Sequence, residues 1–85
     1  MAKSYLVYIA ECADKTFYTG CTNNLAKRLH AHNNSPAGAK YTRARRPVSL
    51  VYFEPVLSLS KALRREREIK KMSRAEKKRL LGLDN

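Results

Sequence analysis

The sequence predicts an α+β fold in which helices pack on a three-stranded antiparallel sheet. Three short runs are rich in β-branched and aromatic residues and are bounded by turn residues, which is typical of strands. Three other runs carry apolar residues at helical spacing after Ser, Thr or Asn, which is typical of capped helices. The runs follow one another in the order β-β-α-β-α-α without repeats, so we expect one domain over residues 1–85.

The first two strands form a predicted hairpin, and its loop length decides where two tyrosines point. The strands are predicted at Lys3–Glu11 and Phe17–Thr22, around a turn at Ala13–Thr16. A two-residue turn puts Tyr8 and Tyr18 on opposite faces of the sheet, whereas a three-residue loop, residues 14–16, puts them on the same face. The sequence leaves both registers open.

The first helix and a basic segment come next. Thr22 or Asn23 caps a helix that runs to about His32. Residues 33–38 contain Asn, Pro and Gly and open a loop. Residues 39–46 are basic and irregular, with room for a short helical turn.

The third strand and two further helices complete the predicted fold. The strand is predicted at Val48–Glu54 and closes at Pro55. The helix that carries residue 66 begins after a serine cap, and the last helix has a capping-box start and a glycine stop. The boundary residues are Ser58 or Ser60 for the former, and Ser73, Glu76, Leu81 and Gly82 for the latter.

The charge of the chain points to a polyanionic partner. It contains 18 Lys and Arg against 7 Asp and Glu, a formal net charge of +11. Residues 43–85 hold 13 of these basic and 5 of these acidic residues, or +8. Nucleic acid is the commonest partner of so basic a domain. A membrane surface is disfavoured, because the basic helix has no large aromatic apolar face.

Cysteine use and hydropathy favour a cytoplasmic protein. Cys12 and Cys21 form neither a CxxC motif nor a dense disulfide framework, which suits a reducing compartment. The apolar run near the N-terminus is short and lacks a cleavage-site pattern, and no segment approaches the length of a membrane span. We therefore expect neither export nor membrane insertion.

One carboxylate falls on the apolar face of a predicted helix. At about 100° per residue, Glu66 lies near the centre of an apolar stripe, whereas Glu68 lies on the opposite face. An inward carboxylate is costly unless a cation or a hydrogen bond meets it, so we expect Glu66 to serve a ligand. The residues of the stripe are Leu59, Ala62, Leu63 and Ile69.

Two polar residues lie on or beside the apolar face of the first helix. His32 shares that face with Leu25 and Leu29, and Arg28 lies at its edge, one turn before His32. A histidine here is either a core-edge residue bonded to backbone or a functional group, and an arginine alone is a solvated charge by default. The residues by themselves leave these alternatives open.

Several short motifs, taken in order, resemble the GIY-YIG nucleases. They cover almost the whole chain and include the family's paired hairpin motif, its first helix and its metal-binding helix. The length and the basic tail look most like the small stand-alone bacterial members, the YhbQ-like branch. The matching segments are Leu6-Val7-Tyr8, Tyr18-Thr19-Gly20, Gly20–Leu25 with Arg28 and His32, Ala62–Glu66, and Ile69-Lys70.

The resemblance implies a phosphodiesterase that uses one divalent metal ion, Mg²⁺ or Mn²⁺. A hard cation of this kind keeps several waters, so that one protein carboxylate can suffice. By position in the motifs, the implied roles are metal ligand for Glu66, phosphate clamp for Arg28, proton handling and water orientation for Tyr8, Tyr18 and His32, and structural glycine for Gly20.

A hypothesis for water activation follows from that resemblance. Tyr8, assisted by His32, activates water, while Tyr18 orients the water or binds a phosphate oxygen; the two tyrosine roles are interchangeable. Tyrosine has a pKa of about 10, and we expect Arg28, the metal ion and the bond to His32 to favour the phenolate. All these groups and Glu66 are expected to line one groove with basic walls.

The sequence departs from the family pattern at a few positions. Leu6 replaces the glycine of the family name, and Val7 and Thr19 replace its isoleucines, which are packing positions. Cys21 stands where several relatives carry a lysine that helps to activate the tyrosine. The asparagine that many relatives carry after the metal helix has only Asn85 as a candidate, and we assign it no role.

Binding is expected to rest on phosphate contacts rather than base readers, because no second domain is predicted. We therefore expect a monomeric endonuclease on DNA in preference to RNA, with weak sequence specificity, structure dependence, or a protein partner that supplies specificity. The alternative is a non-catalytic module that keeps the fold and binds DNA, RNA or ribosomes. The predicted nucleic-acid contacts are Lys40, Arg43, Arg45, Arg46, Lys70, Lys71 and Arg74.

Overall fold

Seven elements in the part of the chain that the structure describes build the predicted α+β fold. The computed structural model describes residues 4–34 and 40–82, so that the expected strand start at Lys3 and most of the loop after the first helix lie outside the described residues. A short helix within the basic segment adds one element to the predicted order. The elements are β1 (Tyr5–Glu11), β2 (Phe17–Thr22), α1 (Leu25–Asn34), α2 (Lys40–Arg43), β3 (Ser49–Val56), α3 (Leu59–Lys70) and α4 (Arg74–Leu80).

The sheet is antiparallel with strand order β2-β1-β3, which makes β1 the central strand. Its side chains alternate between two packed faces. Val7 and Ile9 pack with Ala62 and Ile69 of α3 on one face. On the other face, Tyr8 belongs to a second buried cluster beside α1. Four consecutive residues of β1 are therefore buried, since both faces are covered.

The hairpin register puts the two tyrosines on the same face. Tyr8 pairs with Gly20 and Ala10 pairs with Tyr18, so the positions of paired residues sum to an even number. The backbone N–H of Cys12 donates to the carbonyl of Thr16 across 2.9 Å, which closes a three-residue loop. The structure thus has the same-face register, one of the two that the sequence leaves open, and its three-residue loop is residues 13–15 rather than residues 14–16.

The third strand runs past the proline that was expected to end it. β3 continues through Pro55, which pairs with Leu6, and it ends at Val56. β3 is an edge strand with a neighbouring strand on one side only. A proline there costs no hydrogen bond to a neighbouring strand when its missing N–H would have faced the open side. The predicted stop at Pro55 is therefore wrong, because the position of the strand in the sheet removes the penalty.

Helix caps agree with the sequence for α3 and α4 but not for α1. Asn24, rather than Thr22 or Asn23, caps α1, since its side chain accepts a bond from the backbone N–H of Lys27. Thr22 instead accepts from the N–H of Asn24 and tightens the turn. Ser58 caps α3 by accepting from the N–H of residue 61.

The capping box of α4 is present as predicted. The Ser73 hydroxyl accepts from the N–H of Glu76 across 3.1 Å, and the Glu76 carboxylate accepts from the N–H of Ser73 across 2.9 Å. Gly82 has φ +78°, a left-handed conformation that suits glycine after a helix end. α4 therefore begins and ends where the sequence places these signals.

Candidate active site

A buried chain of three polar side chains joins β1, α1 and α2. The hydroxyl of Tyr8 lies 2.7 Å from Nε2 of His32, and Nδ1 of His32 lies 2.8 Å from Oγ1 of Thr42. All three residues are fully buried. The histidine thus meets side chains from two other elements, rather than the backbone partner that a plain core-edge residue would use.

Arg28 lies beside the Tyr8 end of this chain. Burial acts to lower the pKa of its guanidinium, but the neighbouring hydroxyls of Tyr8 and Tyr18 outweigh it and raise that pKa. A guanidinium only donates, so a bond from Arg28 to the Tyr8 oxygen leaves the Tyr8 O–H to donate to Nε2 of His32. In that arrangement a neutral His32 carries its proton on Nδ1, toward Thr42. This is the tautomer that we assign to His32.

Burial keeps both Tyr8 and His32 neutral near pH 7. It raises the pKa of Tyr8 to about 12, against the lowering effect of the Arg28 bond, and the charges of Tyr18 and Glu66 add to the rise. Burial, with the positive charges of Arg28 and Arg46, lowers the pKa of His32 to about 4. Without a metal ion, Arg28 and the bond to His32 do not favour the phenolate, because desolvation outweighs the arginine.

Gly20 makes room for the Tyr8 hydroxyl. A Cβ atom on Gly20 would lie 2.7 Å from the Tyr8 oxygen, so that the Tyr8 ring would have to move, and 3.1 Å from Cε2 of Tyr18, which is a tight contact. The ring of Tyr8 fills the space beside Gly20. The glycine of the motif serves this close approach.

Tyr18 connects the buried chain to the surface. Its ring centroid lies 6.3 Å from that of Tyr8 and 5.0 Å from that of His32. On its outer side the ring of Tyr41 lies 6.2 Å away, under the guanidinium of Arg45 at 3.9 Å. Tyr18 is thus the tyrosine through which the buried groups reach a surface groove.

Glu66 lies half-buried on α3, at the surface of the same region. Its side chain is 18% exposed, and Oε2 lies 2.7 Å from Nζ of Lys70, one turn later and 52% exposed. Burial, together with the nearby carboxylate of Glu66, raises the pKa of the Cys21 thiol to about 11. The ion pair is a surface contact within one helix, not a closed pair in the core.

The apolar stripe predicted around Glu66 is only partly correct. Ala62 and Ile69 are fully buried, but Leu59 and Leu63 are 47% and 43% exposed. α3 is rotated so that Arg65 faces the sheet, where its guanidinium donates a hydrogen bond to the carboxylate of Glu54 in β3. Tertiary pairing of that arginine, rather than the apolar residues alone, sets the rotation of the helix.

The donor set fits a hydrated hard cation better than a fully caged one. Among residues 4–34 and 40–82, no three His, Cys, Asp or Glu side chains come together. Mg²⁺ keeps several waters and needs only one or two carboxylates, so that Glu66 alone is sufficient. The residues present therefore fit the metal ion that the motifs imply.

The predicted site residues converge, but they do not line one groove. Tyr18 lines a groove of about 270 Å³ outside β2, and Arg28 lines another of about 320 Å³ beside α1. Tyr8 and His32 lie beneath this surface, where strand β1 and α1 bury them. The single groove expected from the sequence is thus wrong, since two of its members are in the core.

Comparison with known proteins identifies the family. Residues 4–79 match the model of the GIY-YIG catalytic domain. The chain belongs to the GIY-YIG family. A UPF0213 protein of Syntrophus aciditrophicus is 62% identical over 81 residues, which cover 95% of this chain and 92% of that protein. A UPF0213 protein of Natronomonas pharaonis is 51% identical over 82 residues, which cover 96% of this chain and 95% of that protein.

Two solved structures share the fold. The solution NMR structure of the UPF0213 protein BH0048 from Bacillus halodurans has a TM-score of 0.60 and 42% identity. That of EF2693 from E. faecalis has a TM-score of 0.65 and 38% identity. Each match covers 94% of this chain and 84% of the other. The predicted fold class and the small YhbQ-like branch of the GIY-YIG family are both confirmed.

Several of the predicted nucleic-acid contacts have partners within this GIY-YIG domain. Arg45 donates to Asp14 and to the Tyr41 carbonyl. Arg46 donates to the carbonyls of His32 and residue 31, which anchors the basic segment to α1. Arg74 donates to the Lys15 carbonyl. These three cations hold the fold together, which the charge pattern did not indicate.

The remaining predicted contacts differ in their surroundings. Arg43 and Lys71 are exposed, and Lys70 is paired with Glu66. The side chain of Lys40 lies outside the described residues. None of the described helices is both long and apolar enough to span a membrane.

Two contributions to the site were not predicted. The Thr42 hydroxyl meets Nδ1 of His32, and Asn33 ties α1 to the start of β3 through two bonds with Val48, of 2.7 and 2.9 Å. In both contacts the bonded residues lie at least ten positions apart in the sequence. Nothing in the local pattern indicates them, because each depends on how the helices pack.

Proposed function

We propose that this protein is a metal-dependent endonuclease that hydrolyses phosphodiester bonds, in DNA in preference to RNA. The observation that supports this proposal is the convergence of Arg28 on the hydroxyls of Tyr8 and Tyr18, next to the carboxylate of Glu66. The guanidinium supplies a fork of donors for the phosphate oxygens, and the hydroxyls can exchange protons with the attacking water. The carboxylate is the one group that only accepts hydrogen bonds. GIY-YIG membership supports the nuclease class.

Arg28 is the group that holds the phosphate in this proposal. Its guanidinium is half-buried beside the hydroxyls of Tyr8 and Tyr18, and its planar fork is pre-organised, so little further ordering is needed when a phosphate oxygen arrives. A fixed fork of donors stabilises charge that develops on the non-bridging oxygens. Tyr18, at the surface end of the cluster, orients the water or contacts a phosphate oxygen.

Tyr8 and His32 form a proton relay rather than a resting base. A tyrosine with a pKa of about 12 and a histidine with a pKa of about 4 exchange no proton at rest. In this proposal the Tyr8 oxygen takes the proton of the water while its own proton passes to Nε2 of His32, in step with attack. Thr42 holds Nδ1–H and keeps His32 in the tautomer that can accept.

Glu66 is the residue that would hold the divalent cation. When bound, the cation supplies charge neutralisation at the phosphate and at the leaving oxygen. Occupation of this carboxylate also removes one of the negative charges that raise the pKa of Tyr8. The relay and the Glu66 site are thereby linked through one electrostatic contact.

The surroundings of the site favour weak sequence specificity. Arg45, Arg46 and Arg74 are held by internal partners, and the exposed cations contact phosphates rather than bases. We therefore propose a monomer in the cytoplasm whose cleavage depends on the structure of the nucleic acid or on a protein partner. Both origins of specificity remain part of the proposal.

A non-catalytic binding module is the second candidate. It is favoured by the complete burial of Tyr8 and by the neutral state of both relay residues. Such a module would bind DNA, RNA or ribosomes through the same basic surface. It gives no reason for Glu66 to face the phosphate-binding region, since a carboxylate repels phosphate when no cation is bound.

The experiment that separates the two candidates uses a matched pair of glutamates on α3. Branched, nicked and linear DNA and RNA are incubated with the protein and Mg²⁺, Mn²⁺ or chelator. Glu66→Gln is expected to lower the cleavage rate at least 100-fold, because it removes the charged ligand. Glu68→Gln, on the exposed side of the same helix, loses only a surface ion pair with Arg65 and is expected to keep about half of the wild-type rate or more.

A third variant tests the relay. Tyr8→Phe keeps the ring and removes the hydroxyl, and it is expected to lower cleavage about 100-fold or more. Cleavage that survives Glu66→Gln, or binding without any metal-dependent cutting by the wild type, would rule out the nuclease proposal. Full activity in Tyr8→Phe would rule out Tyr8 as the relay while leaving the Glu66 assignment to its own test.

A further inference from the structure

Lys70 lies between the Glu66 carboxylate and a basic groove outside β2. Its ammonium is 2.7 Å from Glu66 Oε2, and its hydrogen bond to that carboxylate raises the pKa of Lys70. The side chain is 52% exposed, compared with 18% for Glu66, so packing holds the carboxylate but not the ammonium. The nitrogen is thus free to swing on a flexible stem.

The groove beside Lys70 has the chemistry of a phosphate subsite. It runs along the outer edge of β2 and has a volume of about 270 Å³. Its walls carry two lysines and two tyrosines and include no carboxylate, which suits an anion with oxygen acceptors. The lining residues are Phe17, Tyr18, Thr19, Tyr41, Lys70 and Lys77.

One carboxylate oxygen cannot hold an ammonium at 2.7 Å and a divalent cation together without strong repulsion. The Lys70 ammonium therefore stands in for a cation when none is bound. Once Glu66 binds a divalent ion, the ammonium loses its partner and is repelled from it. The adjacent groove is where Lys70 already has side-chain surface.

We propose that Lys70 exchanges partners: it neutralises Glu66 in the cation-free protein and binds a phosphate of the nucleic acid in the β2 groove when a divalent cation occupies Glu66. This inference rests on the proposed function, since it takes Glu66 as the metal ligand. Lys70 is a positioning residue that joins a metal site to a phosphate subsite. The exchange makes cation and nucleic acid strengthen each other's binding, and the coupling is reciprocal.

The test measures Mn²⁺ binding by the loss of the free Mn²⁺ signal in electron paramagnetic resonance, with and without a short DNA duplex. All proteins carry Tyr8→Phe, which is expected to slow cleavage of the DNA during the titration. Lys70→Met is expected to bind Mn²⁺ about two- to fivefold more tightly without DNA, the range that an exposed ion pair supports. DNA is expected to improve Mn²⁺ affinity less in Lys70→Met than in the parent.

Two lysines serve as controls. Lys61→Met makes the same charge change on the exposed part of α3 and is expected to leave Mn²⁺ affinity at the parent value. Lys77→Met alters the groove without touching Glu66, and it is expected to weaken DNA binding while sparing Mn²⁺ affinity without DNA. Together the two control variants separate the effect of losing a positive charge from the effect of losing the contact between Lys70 and Glu66.

The outcomes separate a failure of the Lys70 exchange from a failure of the Glu66 assignment. Parent-like Mn²⁺ affinity and coupling in Lys70→Met, with Mn²⁺ binding still dependent on Glu66, would overturn the exchange alone. Mn²⁺ binding that Glu66→Gln leaves unchanged, or no binding at all, would overturn the Glu66 assignment of the proposed function and the exchange with it. Tighter binding in Lys70→Met, absent in Lys61→Met, supports the exchange.

Discussion

His32 shows how burial sets the state of a single residue. Its ring has no exposed surface, and its two nitrogens lie within hydrogen-bond distance of the hydroxyls of Tyr8 and Thr42. Arg28 and Arg46 add positive charge nearby, which further disfavours a protonated ring. Burial and the two arginines thus make protonation of His32 unfavourable in the folded protein, and this makes its stability sensitive to acid.

We expect acid to destabilise the fold through His32. The unfolded chain takes up a proton on this histidine near pH 6.5, whereas the folded protein does so only near pH 4. Between these values the unfolded state binds more protons, so stability falls as pH decreases, by about 3 kcal/mol over the whole window. Denaturant unfolding at several pH values measures this slope.

The control for that measurement is His32→Gln, which cannot titrate. Its absolute stability is expected to be lower, because the hydrogen bonds to Tyr8 and Thr42 are altered, but its dependence on pH between 6.5 and 4 is expected to be flatter. Carboxylates with lowered pKa, such as Glu54, act at lower pH in both proteins. Equal slopes for the two proteins would contradict a neutral buried His32.

At the scale of elements, α3 is held on the sheet by a polar clamp as well as by apolar packing. Arg65 of α3 donates to Glu54 of β3, and the Tyr52 hydroxyl donates to the same carboxylate. Partial burial acts to raise the pKa of Glu54, but the bonds from Arg65 and Tyr52 outweigh it and lower the pKa. This clamp sets the rotation of α3 and hence the direction of Glu66.

Removal of the clamp is expected to loosen α3. Arg65→Ala leaves the half-buried carboxylate of Glu54 without its cation, and we expect a loss of about 1–2 kcal/mol in the free energy of unfolding. Arg64→Ala removes the same charge from an exposed neighbour and is expected to change stability by less than about 0.5 kcal/mol. Thermal or denaturant unfolding compares the two.

A double variant checks that the effect belongs to the pair. Glu54→Gln combined with Arg65→Ala is expected to cost less than the sum of the single changes, since the second substitution removes an acceptor that has already lost its donor. Additive losses, or equal effects of Arg64→Ala and Arg65→Ala, would show that α3 is held by apolar contacts alone.

At the scale of the whole molecule, the positive charge serves two purposes. Of the formal net charge of +11, part belongs to arginines that brace the basic segment and the α4 start, such as Arg46 and Arg74. Exposed cations, including Lys71, supply the field that attracts polyanions. The number of phosphate contacts is therefore expected to be well below the number of basic residues.

Salt dependence measures that number. In chelator, affinity for duplex DNA is expected to fall about 100-fold between 50 and 200 mM salt if about four phosphates are contacted. Fluorescence anisotropy with a labelled duplex gives the slope of log affinity against log salt. A flat response over this range would exclude binding through phosphate contacts, and a slope for more than ten contacts would contradict the internal role of the arginines.

The sequence by itself determined the order of strands and helices, the capping box of α4 and the residues of the family motifs. These features are local, since strand propensity, helix caps and motif spacing act over a few residues along the chain. The sequence also separated Glu66 from Glu68, because helical spacing alone assigns them to different faces.

Only the tertiary structure decided how those residues work together. It let β3 continue through Pro55, rotated α3 through the Arg65 clamp, and put Thr42 against His32. It also buried Tyr8, so that desolvation rather than Arg28 controls the state of its hydroxyl. Strand position, desolvation and contacts between distant segments are properties of the packed molecule, which no local pattern of residues contains.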